Sequence, residues 1–171
     1  MGGLGNNLFQ FAYLYSQVRE GNLPDIYLQD YKYFEKYKQE LVDILSVDIV
    51  KHNYVSLHIR RGDFLRSDFH INLVITSYYR DAIELFPNDK FLVFCADRQV
   101  GSDDTQDQEW CMNWSEATFG KRFKLFQGFD EIEDWNNQAG CKAHIIANSS
   151  FSYWCAYIGG GKTIAPSKWF A

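Results

Sequence analysis

Continuous apolar runs alternate with stretches of helical spacing through most of the chain, and this alternation predicts the fold class. The runs at 54–59, 90–95 and 144–147 are short and mostly apolar, as is typical of strands buried on both faces of a sheet. Alternation through residues 53–171 predicts an α/β fold with a parallel sheet covered by helices on both faces. The predicted strands are 25–29, 54–59, 90–95, 123–126, 144–147 and one within 163–170, and the predicted helices are 8–19, 31–45, 77–86, 109–119 and 131–142, the last capped by Asp130.

Two regions interrupt this pattern and are predicted as loops. Residues 65–76 are polar and irregular and follow the central strand directly, so they are predicted to form a functional loop. Residues 99–108 are acidic and poor in apolar side chains. We interpret them as an exposed loop rather than a metal site, because nothing in their spacing fixes a coordination geometry.

The strand at 54–59 ends abruptly in charged residues, and this change suggests a ligand site. His58, Arg60, Arg61 and Asp63 fall at or just beyond its carboxyl end, which is where open α/β sheets bind ligands. Each guanidinium presents a planar fork of donors that can grip two phosphate oxygens, so paired arginines suit a diphosphate. The alternative is a solvated turn carrying surface salt bridges.

Two further segments place polar groups at predicted helix starts. The glycine-rich stretch 2–7, which includes Gly3, Gly5 and Asn6, precedes the first helix, and Ser149 and Ser150 follow the strand at 144–147. Free N–H groups and the helix dipole at such starts favour phosphate. The glycines could equally be a flexible lead-in, and the serines could be an N-cap and nothing more.

Composition and charge narrow the function classes. A length of 171 residues suits one well-cored domain, and the 18% aromatic content suggests stacking surfaces as well as core. The net charge of −5 argues against a nucleic-acid partner. The four cysteines lack C-x-x-C spacing, which favours reduced core thiols over a zinc site. Without an apolar run long enough to span a bilayer or a signal peptide, the chain is predicted to be soluble and cytoplasmic.

Three blocks together resemble the signature of a known enzyme family. Residues 2–12 (GGLGNNLFQFA), 58–64 (HIRRGDF) and 145–154 (IIANSSFSYW) are similar to the three signature blocks of the α-1,2-fucosyltransferases, a group like glycosyltransferase family 11. The blocks occur in the family's order and reach from one end of the chain to the other. Each block is short, but the set is highly specific.

The resemblance implies a fold, an activity and a set of site residues. The implied fold is GT-B-like, with residues 51–171 as a Rossmann-like GDP-sugar-binding domain and residues 1–50 as an abbreviated amino-terminal segment carrying the glycine-rich loop. The implied reaction moves L-fucose from GDP-fucose to a sugar hydroxyl of a glycan, most plausibly in α-1,2 linkage to a galactoside, with inversion and with no metal ion or cofactor. The implied donor-binding residues are Gly3, Gly5, Asn6, His58, Arg60, Asp134, Ser149 and Ser150, and the implied catalytic residues are Arg60 and Asp63.

Within that set the resemblance assigns individual tasks. Arg60 is expected on the β-phosphate with His58 beside the nucleotide, and the spacing of Asp134 and Ser150 matches that of a guanine-binding aspartate and a phosphate-binding serine. Asp63 is the nearest carboxylate that could take the acceptor's proton, or it could instead orient Arg60 or its neighbour.

The chain also departs from the family pattern, and the departure leaves three hypotheses open. The stretch at 13–53 is shorter than in the family, so much of the acceptor-side region is expected to be missing. The first hypothesis is an active fucosyltransferase whose acceptor site is built by the amino-terminal segment, the loop at 65–76 or a second copy in a homo-oligomer. The second is a non-catalytic or relic domain that binds GDP or a GDP-sugar, or only packs against a partner, without transferring sugar. A transferase for a different GDP-sugar is the third hypothesis.

Overall fold

Five strands and six helices make up the fold of the computed structural model, which describes residues 3–20, 31–46, 48–95, 104–126 and 128–171. Within those ranges, the side chains at 18, 63, 66 and 104–108 lie outside the description. The strands are β1 (His52–His58), β2 (Phe91–Phe94), β3 (Phe123–Leu125), β4 (Cys141–Ile145) and β5 (Lys162–Ile164). The helices are α1 (Leu4–Glu20), α2 (Lys38–Leu45), α3 (Tyr78–Glu84), α4 (Asp104–Phe119), α5 (Glu131–Ala139) and α6 (Ser150–Gly159).

All strand pairs are parallel, and the sheet order is β3-β2-β1-β4-β5. Leu57 pairs with Val93 on one side and with Ile145 on the other, so β1 lies at the centre of the sheet. This order is the one found in Rossmann-type folds. The predicted parallel α/β sheet is therefore confirmed, while the two-domain GT-B arrangement stays a prediction.

Helices cover both faces of the sheet because alternate residues of β1 point in opposite directions. Val55, Leu57 and Ile59 face a core that includes residues of α3 and α4. On the other face the ring of His58 lies 6.0 Å from the ring of Phe151 in α6. A second apolar cluster on that side joins α1, α2, α5 and α6.

The amino-terminal helices pack on α6 through aromatic rings. Phe34 stacks on Trp154 with ring centroids 5.2 Å apart, and Phe9 meets the same indole edge-on at 5.1 Å. Trp154 is fully buried as a result. The segment before β1 therefore completes the core on this face of the sheet.

Several predicted boundaries were wrong, and each has a local cause. Helix α1 begins at Leu4 instead of residue 8, and two short 3-10 turns replace the first part of the helix predicted at 31–45. Residues 104–108 belong to α4 and not to a loop. The predicted helix 131–142 ends at Ala139, since Gly140 lies against the carbonyl of Val50 and β4 begins at Cys141. The strand predicted at 25–29 lies outside the described residues.

Other predictions agree with the fold. The Asp130 side chain caps α5 by accepting hydrogen bonds from the N–H groups of Ile132 and Glu133. The four cysteines are all buried. Of the helices that the structure describes, none combines the length and apolar character needed to cross a membrane.

Candidate active site

The carboxyl ends of β1 and β4 form a crevice at the point where the chain connections change faces. Strands β2 and β3 lie on one side of β1, whereas β4 and β5 lie on the other. Because β1 and β4 are in register at Leu57 and Ile145, the segments that follow them leave the sheet side by side. Open α/β sheets bind their ligands at such a point.

His58 is the last residue of β1 and is buried at this crevice. Burial, with a smaller contribution from the nearby Arg60 charge, lowers the pKa of His58 from 6.5 to about 3. The hydroxyl of Tyr79 donates to the His58 carbonyl over 2.8 Å and fixes the end of the strand. His58 is therefore neutral at physiological pH and lines the crevice without adding charge.

The two adjacent arginines have separate surroundings. The guanidinium carbon of Arg60 lies 4.9 Å from the centre of the Phe64 ring, within the loop that follows β1. The guanidinium carbon of Arg61 lies 3.7 Å from the ring centre of Trp110 in α4. Stacking uses the flat face of a guanidinium and leaves its donors pointing outward in its plane. The Arg61 side chain thus packs against α4, whereas the Arg60 side chain packs against Phe64 in the loop that follows β1, next to the crevice.

Helix α6 begins at the mouth of the crevice. Ser149 is its N-cap residue, with extended backbone angles (φ −137°, ψ 128°) and no capping bond from its side chain. The hydroxyl of Ser150 donates to the side-chain oxygen of Asn6 over 2.8 Å. The Ser149 side chain therefore does not cap the first N–H groups of α6, and a helix start of this kind suits an anion.

The start of α1 meets the start of α6 in direct contact. A Cβ atom added at Gly5 would come within 2.5 Å of the backbone at Ser150 and Phe151, so only glycine allows the approach. Gly3 precedes the helix, and its carbonyl accepts hydrogen bonds from the N–H groups of Asn6 and Asn7. Residues 4–7 are thus the first turn of α1, and the prediction of a loop extending to residue 7 was wrong. Two helix starts converge here.

Asp134 belongs to α5 and lies beside a later part of α6 than the other predicted site residues do. It occupies the first turn of α5, where its carboxylate leaves no room for a side chain at Gly128. Burial raises the pKa of the Cys155 thiol, and the Asp134 charge adds to that rise, which places the carboxylate near α6. Because α5 connects β3 to β4, its start lies at the same edge of the sheet as the crevice.

Asp63 belongs to the 3-10 turn Gly62–Arg66, and its side chain lies outside the described part of the structure. Its assignment as base or orienting group stays a prediction. Among the residues that the structure describes, no group of three or more His, Cys, Asp and Glu side chains could hold a metal ion.

The sequence interpretation did not assign a role to three residues that shape the crevice. Asn148 donates from its side-chain amide to the carbonyls of Ile71, at 3.1 Å, and Trp169, at 3.0 Å. The Tyr78 hydroxyl donates to the carbonyl of Ile146 over 2.6 Å, next to the bond that Tyr79 makes with β1. The tandem tyrosines and the asparagine that follows an apolar strand were the available signals, but their carbonyl partners are distant in sequence.

Comparison with known proteins gives one family. Residues 2–169 match the model of Glycosyl transferase family 11. The chain is 33% identical over 166 residues to an alpha-1,2-colitosyltransferase of Escherichia coli, a match that covers 83% of this chain and 54% of that protein. It is 32% identical over 134 residues to the O-antigen biosynthesis glycosyltransferase WbnK of Escherichia coli, covering 70% of this chain and 40% of that protein. The chain therefore spans about half the length of the curated relatives it matches, and no solved structure matches it significantly.

Proposed function

The chain belongs to glycosyl transferase family 11, and we propose that it transfers a 6-deoxy sugar from a GDP-linked donor to a sugar hydroxyl of a glycan. The observation that carries this proposal is the convergence of two helix starts, joined by the Ser150–Asn6 hydrogen bond, at the carboxyl ends of β1 and β4. Arg60 leaves the sheet at the same place. This combination of N–H groups and a guanidinium suits the diphosphate of a nucleotide sugar.

The electrostatics of the reaction explain why such a site would accelerate it. The leaving GDP gains negative charge on its β-phosphate as the glycosidic bond breaks, so fixed donors stabilise the transition state more than the ground state. In this proposal Arg60, Ser149, Ser150 and the N–H groups of α6 carry out that task without a metal ion. Loss of one comparable donor in other enzymes costs about 3 kcal/mol of transition-state stabilisation.

The donor sugar is proposed to be L-fucose or the closely related colitose. The fucose assignment comes from the signature blocks, and the colitose alternative comes from the alpha-1,2-colitosyltransferase to which the chain is 33% identical. The two sugars share the L-galacto ring and its 6-deoxy methyl group and differ by the hydroxyl at C3. A single hydrogen-bonding group near C3 would therefore decide between them.

The transfer is proposed to invert the anomeric carbon and to form an α-1,2 linkage to a galactoside. A single displacement of this kind needs a base that takes the proton of the acceptor hydroxyl, and Asp63 is the proposed base. Asp63→Asn should then retain GDP binding and lose at least about a hundredfold in turnover. Loss of GDP binding in this variant would instead favour a role in orienting Arg60.

A non-catalytic GDP-sugar-binding role is the second candidate, because the chain covers only 54% and 40% of the two relatives. In that case the acceptor side would come from elsewhere, or no transfer would occur. Both candidates require the nucleotide site.

Calorimetry followed by a transfer assay tests both candidates. We expect GDP, GDP-fucose or GDP-colitose to bind and UDP to bind more weakly, and we expect labelled deoxy sugar to pass to a β-galactoside without added metal. GDP binding with no transfer to any of a panel of galactosides would favour the binding-only role. Absence of GDP binding would overturn both.

A further inference from the structure

Four aromatic side chains form a continuous series of ring contacts that begins beside Arg60. Phe64, over which Arg60 lies, stacks on the imidazole of His70 with ring centres 3.8 Å apart. His70 is followed by Phe170, at 5.7 Å, and Phe170 meets Phe69 edge-on at 5.4 Å. We refer to Phe64, Phe69, His70 and Phe170 as the aromatic surface.

The outer half of the aromatic surface is exposed. Phe69 is 69% exposed and Phe170 is 44% exposed. Two phenyl rings held side by side in water are unfavourable, and contiguous apolar patches of this kind mark binding sites. The rings therefore need a function outside the core.

Backbone and side-chain hydrogen bonds hold the aromatic surface in place. His70 and Phe170 form an antiparallel bridge, and the N–H of Ala171 donates to the carbonyl of Phe69 over 3.1 Å. Asn148, immediately before the cap of α6, ties together the two segments that carry these rings through its bonds to Ile71 and Trp169. The surface is thus built onto the same residues that position the start of α6.

A ligand of the aromatic surface should fit both the chemistry of the rings and their position beside Arg60. A pyranose ring has a face of C–H groups whose partial positive charge is attracted to the negative face of an aromatic ring, while its hydroxyls point outward to water. Exposed Asp68, next to Phe69 in sequence, supplies an acceptor for such hydroxyls. A lipid tail would match the rings but would not need the adjacent charged groups.

The order of groups in the reaction selects the acceptor over the donor sugar. The donor sugar is attached to the β-phosphate and so lies against Arg60 and Phe64, where the aromatic surface begins. The acceptor hydroxyl must reach the anomeric carbon of that sugar, and Phe69 and Phe170 continue the series of rings that starts at Phe64. On the basis of the proposed function, we propose that Phe69 and Phe170 form the stacking surface for the galactoside acceptor.

Binding of lactose and of methyl β-galactoside in the presence of GDP tests this proposal, with titrations followed by ligand-observed NMR. Phe69→Ala and Phe170→Ala should each weaken galactoside binding about three- to tenfold, as loss of an aromatic stacking partner does, and leave GDP affinity unchanged. Leu85→Ala is the matched control, because it truncates an exposed apolar side chain at the end of α3, at the opposite edge of the sheet.

Conservative variants separate stacking from other uses of the surface. Phe69→Tyr should keep wild-type galactoside affinity, whereas Phe69→Leu should lose it, since leucine keeps apolar area but has no flat ring. Full affinity in Phe69→Leu would overturn the stacking role. A shift from dimer to monomer in Phe69→Ala, seen by sedimentation, would instead identify a contact between two copies of the chain and would also overturn the proposal.

The two proposals fail in different ways. If the wild-type chain does not bind GDP, the proposed function is overturned. If it binds GDP but no galactoside, or if galactoside affinity is the same in both alanine variants and Leu85→Ala, only the stacking surface is overturned. Circular dichroism of each variant tests whether it is folded. The Phe69→Tyr variant repeats the comparison of galactoside affinity with the aromatic ring retained.

Discussion

At the scale of single residues, the pair Arg60–Arg61 shows how adjacent side chains acquire different tasks. Successive residues of extended chain point to opposite sides, and here one guanidinium stacks on Phe64 while the other stacks on Trp110. Sequence alone marks both as candidates for phosphate. Only the packing of α4 distinguishes the tasks of the two arginines. The sequence does not show this packing, because Trp110 belongs to a helix that comes many residues later in the chain.

Arg60→Ala should weaken GDP binding about ten- to hundredfold, because it removes charge-assisted hydrogen bonds to the diphosphate. Calorimetry with GDP measures this effect. Arg80→Ala, which removes an exposed arginine from α3, should leave GDP affinity unchanged. If instead Arg61→Ala abolishes binding and Arg60→Ala does not, the assignments of the two arginines are reversed.

Gly5→Ala should destabilise the protein although alanine is the better helix former. In an unobstructed helix the exchange stabilises by about 1 kcal/mol, but the added Cβ at Gly5 meets the backbone of Ser150 and Phe151 at 2.5 Å. We expect a loss of about 1–3 kcal/mol of unfolding free energy and weaker GDP binding.

Thermal unfolding with and without GDP checks this prediction. Gly3→Ala is its control for stability, since a Cβ at Gly3 has no atom within 4 Å and should leave the unfolding free energy unchanged. A Gly5→Ala variant as stable as wild type would show that α1 and α6 are not in close contact in solution.

At the scale of elements, the sequence predicted the strands better than the ends of the helices. Residues 55–58 of β1 and all four residues of β2 are buried beneath the covering helices, so their composition alone marks these strands. The starts of α1 and β4 were missed because they depend on contacts of Gly5 with α6 and of Gly140 with Val50. No local pattern contains either contact.

The candidate site follows the same rule. The positions of His58, Arg60, Ser149 and Ser150 near the carboxyl ends of β1 and β4 could be predicted because each lies at the end of a strand of clear pattern or within five residues of it. The bonds of Tyr78 to Ile146 and of Asn148 to Ile71 could not be predicted, since these partners lie 68 and 77 residues away in the chain.

Two buried histidines on neighbouring strands should make the stability depend on pH. Burial lowers the pKa of His58 to about 3 and that of His144 on β4 to about 4, from 6.5 in each case. Below about pH 6.5 the unfolded chain takes up two protons that the folded chain excludes, so stability falls as the pH falls. Each histidine contributes a slope of about 1.4 kcal/mol per pH unit.

Urea unfolding between about pH 7 and pH 5 measures that slope. His144→Gln removes one titrating group and should reduce the slope by about 1.4 kcal/mol per pH unit, whatever it does to stability at neutral pH. The Ser56 hydroxyl, 2.9 Å from the His144 ring, offers the new amide a partner. An unchanged slope would show that His144 is accessible to protons in the folded state.

At the scale of the whole molecule, the proposed anion site lies in a protein of net charge −5. The attraction must therefore be local, from Arg60 and the two helix starts, because the overall field repels a diphosphate. The same charge is consistent with the prediction that the protein has no nucleic-acid partner.

Residues 51–171 alone should not fold into a stable domain. Removal of the preceding segment strips Phe9 and Phe34 from Trp154, which they help to bury completely. Tryptophan fluorescence of the truncated chain should be red-shifted and its unfolding non-cooperative, whereas the full chain should unfold in one transition. A cooperative truncated domain would confirm the predicted division at residue 50.

The contact between Gly5 and α6 also determines when the site can form during synthesis. The Ser150–Asn6 bond joins positions separated by 144 residues, so α1 leaves the ribosome long before its partner helix. At about 5–20 residues per second this interval is roughly 7–30 s, during which the apolar face around Phe9 has nothing to pack against. We therefore expect nascent chains to need protection by a chaperone, and the proposed nucleotide site to form only after α6 has been synthesised.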